Sequence, residues 1–94
     1  MKTILSIDDR TTLAAIYPGI PFHYIGRFVK AGEEMLAPRG DFPERADHQL
    51  VFRMAVMAFV NWRLAERGSL VWFAMRDQFD SLRIACREID DAKI

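Results

Sequence analysis

Apolar side chains crowd most densely between Leu50 and Ala65, and at the centre Met54-Ala55-Val56-Met57-Ala58-Phe59-Val60 runs without a polar residue. Such a run makes about two helical turns with no polar side. By period alone it fits a buried strand as well as a buried helix. Ala55, Ala58 and Ala65, good helix formers and poor strand residues, decide for helix. The flanks turn mixed, with His48, Gln49 and Arg53 before and Asn61, Arg63, Glu66 and Arg67 after. The pattern therefore predicts a long buried helix over 47–67, entered from Glu44 and closed by Gly68. A helix apolar all round needs neighbours on every side.

Those neighbours are legible on either flank. Lys2-Thr3-Ile4-Leu5 allows a short N-terminal strand, and Ser6 with Asp9 spells a capping box for a helix over about 7–17. Pro18 stops it, because the residue before a proline is driven out of helical geometry. Pro21 suits the first turn of a second helix over about 21–31, with Ile25, Phe28 and Val29 as its buried stripe. Gly32 then reads as its stop, since Glu33 and Glu34 are badly placed in a helix's last turn. A competing reading carries the helix on to Leu36 and buries Gly32 as a close-packing site. Ala37 to Pro43 is the clearest loop. Ser69 caps a last helix over 69–90, whose apolar residues Trp72, Met75, Phe79, Leu82, Cys86 and Ile89 alternate steps of three and four, a heptad seam. Arg76, Asp77, Asp80, Arg83 and Arg87 face away from it, and fraying is expected after Ile89, where Asp90 and Asp91 oppose the helix dipole. The fold class is all-α: four helices around the long central one, in a single domain spanning 1–94.

Composition narrows the function. A content of 51% hydrophobic and 28% charged residues is that of a globular chain. Thirteen basic and thirteen acidic side chains cancel, so no broad positive field draws nucleic acid. Met1 to Ile7 is too short for a signal sequence, and no apolar run approaches a membrane span. Cys86 is alone, which fits a reducing cytoplasm and leaves no cysteine cluster for structural zinc. The expectation is a cytoplasmic protein with no metal, cofactor or membrane partner.

No catalytic signature stands out: no phosphate loop, no dinucleotide turn, no nucleophile elbow, and His23 and His48 without ligand-spaced companions. Cys86 on an apolar seam reads as a small inert hydrophobe. The chain is accordingly expected to be no enzyme.

Residues Gly19 to Glu33, read Gly-Ile-Pro-Phe-His-Tyr-Ile-Gly-Arg-Phe-Val-Lys-Ala-Gly-Glu, resemble the turn and recognition helix of MerR-type or excisionase-like helix-turn-helix domains. The apolar positions match at Ile20, Ile25, Phe28 and Val29. That resemblance implies a DNA-binding regulator with Phe22, His23, Tyr24, Arg27 and Lys30 toward the major groove and Arg39 in a wing-like loop. The first fifty residues carry six basic and seven acidic side chains, which favours a protein partner over DNA.

The third pattern points to association. Met54, Met57 and Phe59, with Trp72, Met75, Phe79 and Leu82 of the seam, suit a two-fold homodimer of helix on helix. Phe22, Tyr24, Arg27 and Lys30, or Trp62, Arg63 and Arg67, are of the kinds that dominate partner binding. The function expected is thus a non-enzymatic α-helical interaction protein. In size and character it is similar to phage- or mobile-element-encoded inhibitors of host or defence complexes, anti-CRISPR proteins among them.

Overall fold

The structure, a computed structural model, describes residues 3–92. Four helices follow one another: α1 (Ile7–Ile16), α2 (Phe22–Leu36), α3 (Ala46–Leu64) and α4 (Leu70–Asp91). The all-α class is as the pattern predicts. α3 and α4 form the main hairpin, α2 lies across α3, and α1 leans on α2. Among the described residues no helix is long and apolar enough to cross a membrane.

α1 begins on the expected capping box: the Asp9 N–H donates to Ser6 Oγ and the Ser6 N–H donates to Asp9 Oδ2, each at 3.1 Å. It ends before Pro18, with Tyr17 out of helical geometry. The strand allowed near the N-terminus does not form among the described residues; Met1 and Lys2 lie outside them. Instead the Ile4 and Leu5 N–H groups donate to Glu33 Oε2, at 2.6 and 3.0 Å, and Leu5 is buried.

That contact explains the largest correction to the sequence reading. α2 starts at Phe22, after Pro21, and runs past Ala31 to Leu36, so Gly32 is inside the helix. A Cβ on Gly32 would stand 2.9 Å from Phe59 Cδ2, so only glycine lets α2 approach α3 this closely. A glycine costs a helix about 1 kcal/mol against alanine. Hydrogen bonds to a charged group are worth roughly 1.5–3 kcal/mol each, and Glu33 accepts two from the chain ahead of α1. The acid that should end the helix therefore has compensation from outside it.

α3 begins at Ala46, between the expected entry at Glu44 and the predicted 47, and stops at Leu64, three residues short of the predicted 67. Ala65 is extended, a turn follows in which the Ser69 N–H donates to the Glu66 carbonyl, and Gly68 takes φ +84° there. Gly68 thus bends the reversing connection instead of closing α3. Phe52, Ala55, Val56 and Val60 are wholly enclosed, Ala58 and Phe59 nearly so. Cover on every side fails along one stripe, where Leu50 and Met54 remain 50% and 41% exposed.

α4 keeps its predicted seam, with Phe79 and Cys86 buried and Trp72, Met75, Leu82 and Ile89 half-buried. It continues through Asp90 and Asp91, where fraying was expected, because Arg39 holds both. The Arg39 N–H and Nε donate to Asp90, and Nη2 donates to Asp91 Oδ1 at 2.9 Å. The loop before α3 tucks Phe42 against Phe52, edge to face at 5.4 Å.

Candidate functional site

The expected contact residues fall on three surfaces. The first is a groove of about 220 Å³ beside α3 and α4, lined by Leu50, Met54 and Met57 of α3, with Met75 and Gln78 of α4. Leu50 is 50% exposed. Asn61 also lines it: Tyr17 Oη donates to its Oδ1 at 2.7 Å, and its Nδ2 donates to the Met57 carbonyl. Arg53 also lines the groove and grips Asp9 by two hydrogen bonds, tying α3 to α1. Burial raises the Asp9 pKa, but the hydrogen bonds from Arg53 and Ser6 and the Arg53 charge outweigh it, holding the carboxyl below its ordinary value.

Of the residues expected at a homodimer contact, Met54, Met57 and Met75 line this groove. Phe59 and Phe79 lie inside the chain's own core, at 5% and 3% exposure, their rings 5.3 Å apart. Trp72 and Leu82 are half-buried along the α3–α4 seam. Leu50 and Asn61 escaped the sequence reading, although 50, 54, 57 and 61 repeat in steps of four, three and four and so share one stripe of α3.

The second surface is the outer face of α2. Phe22, His23, Tyr24, Arg27 and Lys30 are all exposed there. The His23 and Tyr24 rings lie 4.6 Å apart, and the Arg27 guanidinium sits 5.7 Å from the centre of the Tyr24 ring. Arg39 does not join them; it is engaged with the end of α4.

At the third, Trp62 stacks on Phe79 and meets Trp72 edge to face, while Arg63 covers Trp62 and Arg76 covers both Trp72 and Phe73. Trp62 Nε1 is buried with no hydrogen-bond acceptor. Arg67 is exposed in the α3–α4 turn. Trp62, Arg63 and Arg67 thus belong to the end of the helical hairpin, on other elements than the α2 set.

Among the described residues no group of three or more His, Cys, Asp or Glu side chains is arranged to hold a metal ion. Burial pushes the Cys86 thiol up to about 11, far from a nucleophile's range. The chain matches no known protein family, no curated protein and no solved structure with which it was compared.

Proposed function

We propose that the chain is a non-enzymatic interaction protein that takes a protein partner into the groove beside α3 and α4. The observation that supports this is the exposure of Leu50 and Met54, at 50% and 41%, on the very helix whose other side holds Phe52, Val56 and Val60 at zero. Unbranched methionines adapt to a partner's shape, and an apolar trough between helices suits an amphipathic helix laid into it. Arg53 and Gln78 supply polar contacts to the same groove. Occupying a partner's surface is how a small chain without chemistry of its own would block a host complex. A second copy of the chain is the simplest such partner.

The experiment compares the wild type with a Leu50→Asp, Met54→Asp double variant in nuclease-treated pull-downs from the native host and in sedimentation. A partner, or a dimer, held by the wild type and lost by the variant supports the groove. Equal capture by a folded variant removes it.

A second reading has its own observation. α1 and α2 are two consecutive helices joined by the turn over 17–21, and Phe22, His23, Tyr24, Arg27 and Lys30, which the resemblance turns toward DNA, are exposed on α2. As a regulator the chain would retard duplex DNA with an affinity that falls steeply with salt, and Arg27→Ala with Lys30→Ala would abolish the shift.

A further inference from the structure

Two glycines stand inside α2, and packing accounts for only one. Gly32 is forced by Phe59. At Gly26 a Cβ would meet nothing nearer than Arg10 Nη1 at 3.8 Å, an ordinary contact. A mid-helix glycine destabilises by roughly 0.5–1 kcal/mol against alanine, with no packing gain here to offset it.

Gly26 lies in a cleft of about 410 Å³ between the N-terminal segment, α1 and α2. Arg10, Arg27 and Lys30 line it, with His23 beside them; its carboxylates are Glu33 and Glu34. Glu33 is already engaged, its Oε2 by the Ile4 and Leu5 N–H groups and its Oε1 by Arg10 Nη2 at 3.7 Å. That last distance is too long for a hydrogen bond and leaves the Arg10 guanidinium able to donate elsewhere. Arg39, Arg45, Arg53, Arg76 and Arg83 each have a carboxylate within ion-pair distance. Among the described residues Arg27 and Lys30 of this cleft have none, as have Arg63, Arg67 and Arg87 elsewhere. Two cations without a carboxylate partner, and a third held only loosely by Glu33, thus line the cleft where a side chain has been omitted from the helix surface.

We propose that this cleft binds a phosphate group, seated over Gly26 and held by Arg10, Arg27 and Lys30. Guanidinium groups match phosphate oxygens in paired hydrogen bonds, and an ammonium adds a compact charge. The missing Cβ lets the tetrahedral anion descend among the three cations. The site rests on neither reading given above.

The test titrates the full chain, labelled with nitrogen-15, at constant ionic strength with inorganic phosphate, a short DNA duplex, acetate and chloride. The expected result is a saturable shift of the Gly26, Arg27 and Lys30 amides with phosphate or duplex, and none with acetate or chloride. Arg27→Gln with Lys30→Gln weakens it at least tenfold. Gly26→Ala, which the fold accommodates, weakens it at least threefold. Saturation by inorganic phosphate alone assigns a free phosphate compound and ends the DNA reading of α2. Tighter saturation by the duplex assigns a phosphodiester. The proposal is overturned if neither phosphate probe saturates, if acetate does equally well, or if the folded variants respond as the wild type does.

Discussion

Phe59 lies so close beneath Gly32 that a methyl group there would stand 2.9 Å from its Cδ2 and 3.3 Å from Val56 Cγ1. The ring has little freedom to yield, since Phe59 is itself buried and packs on Trp62 and Phe79 at 5.9 and 5.3 Å. Overpacking costs about 1–3 kcal/mol, against a helix-propensity gain of about 1 kcal/mol for alanine over glycine. Gly32→Ala is therefore expected to lower stability by roughly 1 kcal/mol net, whereas Gly26→Ala, whose Cβ would make only an ordinary contact with Arg10 Nη1 at 3.8 Å, should raise it by roughly 0.5–1 kcal/mol. Urea unfolding of the two variants decides the matter, and shifts of the same sign would contradict the packing described for α2.

The Glu33 carboxylate stands in for a missing strand partner. It receives the N–H groups of Ile4 and Leu5 and thereby holds Leu5 in the core. Leaving a buried donor without an acceptor costs about 1–3 kcal/mol. Glu33→Ala should destabilise by at least that much, and Glu33→Gln, which keeps one acceptor oxygen, by less. Hydrogen exchange reports it locally: the Ile4 and Leu5 amides lose protection in Glu33→Ala by more than those of α4. Equal protection in variant and wild type would show that the carboxylate does not hold the segment.

How far the sequence revealed these relations depends on whether the cause was local. The Ser6–Asp9 cap, the stop before Pro18 and the Trp72-to-Ile89 seam rest on spacing within one helix, and all three are present. The end of α2 was misjudged because its causes come from elsewhere in the chain: Phe59 lies 27 positions beyond Gly32, and the partners of Glu33 lie 28 and 29 before it. Asp90 and Asp91 were expected to fray for the same reason, since Arg39 is about fifty residues away. In the groove, the Met54–Met57 stripe was legible, but which of its apolar neighbours face outward was not. Phe59 and Phe79 look like contact residues by type, and only the packing of α2 and α4 on α3 shows that they are already covered.

Cys86 should be silent toward thiol reagents in the native protein. With its pKa pushed to about 11 by burial, roughly one thiol in a thousand is ionised at pH 8, and the thiolate is the reactive form. Labelling with a chromogenic disulfide is expected to be slow under native conditions and to become fast in urea. Cys86→Ser would bury a hydroxyl on an apolar seam and cost about 1–3 kcal/mol, while Cys86→Ala leaves a smaller void and less damage. Rapid native labelling at pH 8 would place the thiol outside the core.

The Asp9–Arg53 pair links α1 to α3 and makes stability depend on acid. Burial alone would raise the Asp9 pKa, but the hydrogen bonds from Arg53 and Ser6, with the Arg53 charge, leave the folded value below that of the unfolded chain. A carboxyl depressed in this way contributes fully above its unfolded pKa of about 3.9 and loses its contribution as pH falls through the lower, folded value. The wild type should therefore lose stability on acidification below about pH 5, with part of that loss due to Asp9. Asp9→Asn should be less stable at neutral pH, show a shallower acid slope, and converge on the wild type once both pKa values have been passed. Asp47 is the control: its pKa is also lowered, since Arg45, with a smaller contribution from His48, outweighs desolvation, but both members of that pair are largely exposed. A solvent-screened pair contributes little, so Asp47→Asn should leave the acid slope nearly as it was. Urea midpoints measured from pH 2 to pH 7 for the three proteins test this, and parallel curves for wild type and Asp9→Asn would mean that the clasp between α1 and α3 adds nothing to folding.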